Sequence, residues 1–258
     1  MIKALIDYSA VTAKARAMYG KFLTAADWEQ LLDASGLREI RELLRRSGAW
    51  SAAMEAAGAS EDAETLSAAL RQQLSRDCDS LCLYLSKADQ ETLRFFLRRP
   101  DGSMTPEEAR RWWNEGGKRF AGLRRIAGAE ADALNLVYIL RLRRFPGSLP
   151  EAEKLLIPVR DKLTPRLVQG LLRARDDRAV LDILADTPWG GAFTSLAPGD
   201  LERQYGDYMA AFCRRLLTEA RPGLPAVQAF LTLKDMERAR LDRVIGAAAR
   251  GIDPHLAV

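Results

Sequence analysis

The chain has 258 residues, of which 48% are hydrophobic and 29% charged. This composition is close to that of ordinary globular proteins and excludes extensive disorder. The net charge of +4 and the pI near 9.0 suit a moderately acidic partner or an anionic membrane surface but demand neither. Three cysteines and one histidine argue against a disulfide scaffold and indicate a reducing compartment.

The N-terminal segment does not read as a signal peptide, because Asp7 interrupts its apolar run. The sequence nowhere has 18 consecutive apolar residues, so we expect no membrane span. We therefore expect a cytoplasmic protein that reaches the cytoplasmic face of a membrane only through a partner.

Apolar residues recur at helical spacing along almost the whole chain. The clearest stripes are Trp28, Leu31, Leu32, Ile40, Leu43 and Leu44, then Leu66, Leu70, Leu74, Cys78, Leu81 and Leu85, and later Leu201, Tyr205, Tyr208, Phe212 and Leu216. Residues that favour helix N-caps precede many helices, namely Thr24, Ser60, Ser86, Thr105 before Pro106, Thr164 before Pro165, and Asp200. The sequence therefore predicts an all-α fold.

A block of residues recurs 140 positions along the chain. The first copy contains Leu23, Thr24, Leu31, Leu32, Ala34, Arg38 and Leu44, and the second contains Leu163, Thr164, Leu171, Leu172, Ala174, Arg178 and Leu184. Each copy then closes with a turn of small and aromatic residues, at Trp50 and at Trp189. An ungapped match that includes a cap, a double leucine and a turn indicates duplication.

A second element recurs three times by its apolar pattern. Its copies are Ala10, Val11, Ala15 and Arg16; Asn135, Leu136, Leu140 and Arg141; and Arg240, Leu241, Ile245 and Gly246, with Asp132 matched to Glu237. The alternative is three unrelated amphipathic helices. Three related helices predict three lobes around a pseudo-threefold axis, a funnel with a central depression. The predicted segments are 1–60, 61–127, 128–199 as a repeat of the first lobe, and 200–258 as a truncated third lobe.

Motifs for catalysis or metal binding are scarce. His255 stands alone, and no phosphate-binding glycine loop or nucleophile elbow occurs. Asp176 and Asp177 could hold magnesium in a helical enzyme, but Arg175 and Arg178 flank them and would pair with them locally. We therefore predict no catalytic residue, no metal and no cofactor.

Clusters of arginine leave two alternatives open. Such residues contact phosphates in nucleic-acid-binding proteins, but here acids accompany most clusters, as on a solvated helix face. Arg141, Arg143 and Arg144 form the least compensated run. A free-standing helical scaffold or nucleic-acid-binding module is thus the alternative function, although we predict no nucleic-acid partner.

Asp132 and Asn135 lie one turn apart in an otherwise apolar helix. A buried asparagine costs desolvation unless it is hydrogen-bonded. An inter-lobe hydrogen bond or a helix cap explains the pair, and direct contact with a partner is the alternative.

Three segments in order along the chain are similar to those of a known family. They are Ala13–Met18 leading to Phe22–Thr24 and Trp50, then Asp132–Leu136 before Ile139–Arg141, and finally Leu233–Leu241. Together they resemble the family of C-type subunits of archaeal and bacterial V/A-type ATPases, which is related to the d-type subunits of eukaryotic V-ATPases. The chain departs from the pattern in its shorter length, in Ala10 where members often have Asn, and in Asp235 where they often have Glu.

The resemblance implies a helical funnel without an active site, seated on the membrane proteolipid ring and holding the central stalk. Such a protein would transmit torque between ATP turnover and proton or sodium transport. A mildly basic funnel could meet acidic residues of the stalk. The expected partner-binding residues are Arg16, Asn135, Arg141, Arg143, Lys234, Glu237 and Arg240.

Overall fold

The structure, a computed structural model, describes residues 2–97, 111–112, 114–115, 124–145, 154, 156–157 and 161–257. The helices are α1 (Ile2–Tyr19), α2 (Ala25–Leu32), α3 (Leu37–Arg46), α4 (Ser51–Ala57), α5 (Ala63–Cys82), α6 (Lys87–Leu97), α7 (Arg124–Leu142), α8 (Pro165–Arg173), α9 (Asp177–Ala185), α10 (Pro198–Glu219) and α11 (Leu224–Ala249), followed by a 3-10 helix (Pro254–Ala257). No strand occurs in these ranges, and the predicted all-α class is confirmed for them. The helix start predicted at Thr105 and Pro106 lies outside the described residues.

The chain divides into two compact units. The first comprises Met1–Leu93 and Leu216–Val258, and the second comprises Arg94–Arg215. The first unit therefore contains both the beginning and the end of this sequence. The division into four segments and the three-lobed funnel stay predictions.

The core of the first unit is built from the helical block α2–α5 and from α11. Leu241, Val244 and Ile245 of α11 are buried in one cluster with residues of the block. Those residues are Leu31, Ile40, Leu44, Trp50, Ala53, Met54, Leu66, Ala69 and Leu70. Helices as short as α2 and α3 are marginal on their own and depend on burying an apolar face. The last long helix of the chain therefore completes the first helical block.

The second unit has a similar core, in which α7 takes the place of α11. Leu136, Ile139 and Leu140 of α7 are buried in one cluster with residues of α8, α9 and α10 and of the turn after α9. Those residues include Leu171, Val180, Leu184, Trp189, Phe193 and Leu201. Each unit thus contains one copy of the repeated block on one long supporting helix.

Matching residues of the two blocks fill buried positions. The buried pairs are Leu31 and Leu171, Ile40 and Val180, Leu44 and Leu184, and Trp50 and Trp189. The supporting helices add Leu136 and Leu241, Ile139 and Val244, and Leu140 and Ile245. This pattern supports the predicted duplication. The kinship of α1, whose Val11 and Ala15 are buried, stays a prediction.

Two of the N-caps proposed from the sequence are wrong by a few residues. Asp62, not Ser60, caps α5, because its carboxylate accepts the backbone N–H of Thr65 at 2.8 Å. Helix α10 begins at Pro198, so Asp200 lies in its first turn.

Thr24 and Thr164 cap α2 and α8, as the sequence predicts. The Thr24 hydroxyl accepts the Asp27 N–H at 3.2 Å, and the Asp27 carboxylate accepts the Thr24 N–H at 2.8 Å. Thr164 accepts the Leu167 N–H at 3.2 Å. The Leu167 side chain cannot return a hydrogen bond, so of these two helices only α2 has the reciprocal capping box.

Removing these two caps is expected to have unequal effects. Thr24→Ala should lower the free energy of unfolding by about 1.5 kcal/mol, and Thr164→Ala by about 1 kcal/mol, because only the first breaks a reciprocal pair. Urea unfolding followed by circular dichroism measures both. A larger loss for Thr164→Ala would contradict the assignment of the capping box.

Candidate partner-binding site

Lys234 of α11 lies in the interior of the first unit and is 2% exposed. Its Nζ donates a hydrogen bond to the Ala49 backbone oxygen at 2.8 Å and lies 3.6 Å from the centre of the Trp50 ring. Asp77 Oδ2 of α5 lies 3.8 Å from the same nitrogen. We call Lys234, Ala49, Trp50 and Asp77 the Lys234 cluster. It joins α11 to α5 and to the turn that precedes α4.

Glu237 lies one turn after Lys234 and binds the two ends of the helical segment 23–50. Its Oε1 accepts the backbone N–H of Leu23 at 2.9 Å, and its Oε2 accepts the Trp50 indole N–H at 2.8 Å. Leu23 directly precedes the Thr24 cap. One carboxylate on α11 thus holds both the start of α2 and the turn after α3.

Burial disfavours the charged forms of Lys234, Asp77 and Glu237. It lowers the pKa of Lys234 from 10.5 to about 8, although Asp77 and Glu237 oppose the change. Burial also raises the pKa of Asp77 and that of Glu237 above their ordinary values, although Lys234 opposes both changes. Because desolvation outweighs the attraction between these charges, the cluster does not behave as a simple stabilising ion pair.

Asp132 and Asn135 of α7 are the polar residues at the corresponding place in the second unit. The Asp132 carboxylate accepts the backbone N–H groups of Asp161 at 3.1 Å and Leu163 at 3.0 Å, and also that of Lys162. Burial is the main cause that raises the pKa of Asp132. Asn135 exchanges two hydrogen bonds with the backbone of Ile157, at 2.9 and 2.7 Å.

The two units use one acidic side chain in the same way. Glu237 accepts the N–H of Leu23, and Asp132 accepts the N–H of Leu163, the equivalent residue of the second block. In both units the acceptor therefore binds the residue directly before the threonine cap. The match of Asp132 with Glu237 that the sequence suggested has this shared structural role.

Two of the expected arginines bind helix ends within their own unit. Arg16 donates to the Leu217 and Ala220 oxygens at the end of α10, at 2.7 and 3.0 Å. Arg143 donates to the Leu171 and Ala174 oxygens at the end of α8, at 2.6 and 2.8 Å. Cationic side chains at these helix ends complement the carbonyl groups exposed there.

Arg141 and Arg240 make contacts of other kinds. Arg141 forms an ion pair with Glu202 of α10, and half of each side chain is exposed. The Arg240 guanidinium lies 4.0 Å from the centre of the Trp28 ring, a cation–π contact, and is partly buried. Of the seven expected partner-binding residues, Arg141 is the most accessible.

The expected partner-binding residues are divided between the two units. Arg16, Lys234, Glu237 and Arg240 belong to the first unit, and Asn135, Arg141 and Arg143 to the second. Asn135, Lys234 and Glu237 are buried and bind main-chain or side-chain groups inside their units. Partner binding by all seven residues stays a prediction. The sequence analysis did not single out Asp77 as a buried partner of Lys234. Its position between Leu74 and Leu81 on an apolar helix face could have indicated that it is buried.

The described residues offer neither a metal site nor a membrane span. They contain no group of three or more His, Cys, Asp or Glu side chains that could hold a metal ion. None of the described helices combines the length and the apolar character that crossing a membrane requires.

The described residues thus define an all-helical protein with a duplicated block, each copy held on a long helix by a buried acid. The sequence matches the ATP synthase (C/AC39) subunit family over residues 11–101 and 110–257. The chain belongs to this family, which confirms the resemblance found in the sequence, and is a subunit of a V/A-type ATPase complex. Comparison with curated proteins finds no significant match.

Proposed function

We propose that the chain is a non-catalytic subunit of the central rotor, which links the central stalk to the membrane proteolipid ring. The observation that carries this proposal is the family match along nearly the whole chain. In this role the chain transmits torque between ATP turnover and proton or sodium transport. It stays on the cytoplasmic face of the membrane and reaches the membrane through its partner subunits.

The way each block is held suits transmission of force. Short helices alone would shift under load, but here apolar packing and a buried acid fix each block to a long helix. Rigid elements joined by many modest contacts resist slipping better than one strong contact. Transmission of this kind needs no cofactor and no bound metal.

We propose that the exposed arginines meet acidic residues of the stalk. Arg141 is the main candidate because its side chain is exposed. Arg16, Arg143 and Arg240 are partly buried and are weaker candidates for the same contact. Asn135, Lys234 and Glu237 support it by positioning the helices. Complementary charge at such a surface affects association rate and specificity more than affinity.

Affinity purification of the tagged chain from membranes tests the function. We expect the stalk and ring subunits to be recovered with it. Recovery without any ATPase subunit, together with steeply salt-dependent binding to DNA or RNA, would instead favour the nucleic-acid-binding alternative.

A charge swap tests the role of Arg141. Arg141→Glu should reduce recovery of the stalk at least tenfold, a loss of about 1.4 kcal/mol. The double variant Arg141→Glu with Glu202→Arg restores the internal ion pair with its charges exchanged. It rescues stalk binding only if Arg141 acts through that ion pair and not through contact with the stalk. We expect no rescue. Arg175→Glu, at an exposed arginine in an ion pair with Asp176, is the matched control and should bind normally.

A further inference from the structure

The Lys234 ammonium is enclosed by groups from three parts of the first unit. The Trp50 ring and the Phe22 ring lie 3.6 and 5.3 Å from Nζ, and the Ala49 oxygen accepts its hydrogen bond. Asp77 is the nearest carboxylate, at 3.8 Å. An ammonium group has three N–H donors and is strongly hydrated in water. In this enclosure one backbone oxygen, one carboxylate and two aromatic faces replace that hydration.

We propose that Lys234 makes the joint between α11 and the Ala49–Trp50 turn sensitive to pH, so that protonation favours opening and deprotonation favours the closed joint. The closed joint is the one in the structure. The open joint is one in which the turn has separated from α11 and water reaches Nζ.

The direction follows from where the proton binds more tightly. Burial lowers the pKa of Lys234 from 10.5 to about 8 in the closed joint, whereas exposure to water returns the pKa to its ordinary value. The open joint therefore holds the proton more tightly, and adding the proton shifts the population towards it. As the pH rises through 8, Lys234 becomes neutral and the population of the closed joint increases.

Other charged groups modify this effect. Those that act on Lys234 or on its carboxylate neighbours are Asp77, Arg76, Lys14, Glu237 and Asp27. The Asp77 and Glu237 carboxylates raise the pKa of Lys234, but burial outweighs them and leaves the pKa at about 8. Removing the charge of Asp77 should therefore lower the pKa of Lys234 further.

The second block provides an internal comparison. The offset of 105 residues that matches Asp132 with Glu237 places Ala129, which is buried, where α11 has Lys234. The turn at Trp189 consequently has no lysine from its supporting helix. Its exposure should not follow the titration of Lys234.

Hydrogen exchange of the full chain, read by mass spectrometry and corrected for intrinsic rates, measures opening of the two turns. Between pH 7 and pH 9, we expect the protection of residues 47–57 to rise about tenfold, as linkage to a pKa of 8 in the closed joint requires. Residues 187–193 should change little. Unchanged protection of residues 47–57, or an equal rise in both turns, would overturn the proposal.

Three variants separate Lys234 from other titrating groups. Lys234→Arg stays charged over this range and Lys234→Met is never charged, so each should abolish the rise. Asp77→Asn should move the midpoint of the rise to lower pH. Where the Lys234 variants do not fold, Asp77→Asn decides the matter alone: a midpoint that stays in place refutes the role of Lys234, as does a full rise in either Lys234 variant.

Discussion

Replacing Trp50 by alanine is expected to lower the free energy of unfolding of the first unit by about 4 kcal/mol. The ring is completely buried, so its removal leaves a cavity at the centre of the cluster formed by α2–α5 and α11. The Glu237 carboxylate would also lose the indole N–H that it accepts at 2.8 Å, and Lys234 would lose the ring beside its ammonium. Urea unfolding, with hydrogen exchange to assign the loss to the first unit, measures the effect.

Phenylalanine at this position separates packing from hydrogen bonding. Trp50→Phe keeps most of the buried ring but removes the N–H, and we expect a loss of about 2 kcal/mol because a buried carboxylate is left short of a donor. Trp189→Phe is the matched control. Asp132, the counterpart of Glu237, accepts backbone N–H groups and makes no bond to Trp189, so this change should cost less. Equal losses would show that the bond to Glu237 adds nothing to packing.

The helices and the duplicated block could be predicted because their signals are local. Leu31, Ile40 and Leu44 repeat at helical spacing, and Thr24 and Thr164 are caps that act within three residues. Local patterns of this kind decide where a helix begins and which face it buries. The helical spacing and the threonine caps therefore identified the equivalent residues of the second block.

The contacts of Lys234 and Glu237 could not be predicted in this way. Charged residues on a helix usually face water, and so the sequence favoured a role in partner binding for both. Their actual neighbours, Ala49, Trp50 and Leu23, lie at the other end of the sequence. These residues meet only because α11 packs against the N-terminal helices of the first unit. No local sequence pattern predicts that packing.

Asn135 shows an intermediate case. Its place in an apolar helix correctly indicated that its amide needs a hydrogen-bonding partner. The sequence suggested an inter-lobe bond or a helix cap, whereas the amide binds the backbone of Ile157 within the second unit. Burial can be inferred from neighbours on the same helix, but the identity of the partner depends on the path of a distant segment.

Removal of the Asp132 carboxylate is expected to lower the free energy of unfolding of the second unit by about 3 kcal/mol. Three successive backbone N–H groups, those of residues 161–163, bind this one side chain. Asp132→Ala leaves the buried N–H of Leu163 without its acceptor, and the two others must turn to water. Asp161→Ala is the matched control, because the Asp161 side chain is exposed and only its backbone binds Asp132. Comparable losses in the two variants would contradict this role.

Asp132→Asn tests the same site through pH. Burial raises the pKa of Asp132 in the folded chain, so the proton is bound more tightly there than in the unfolded chain. The resulting stabilisation is complete below the ordinary carboxyl pKa and disappears as the pH rises through the raised value. Asparagine cannot titrate, so the free energy of unfolding of the wild type should fall relative to that of Asp132→Asn as the pH increases. Urea unfolding of both proteins from pH 3 upward measures the free energy of unfolding of the wild type minus that of the variant. If this value rose with pH, the hydrogen bonds to the carboxylate would outweigh the effect of its burial.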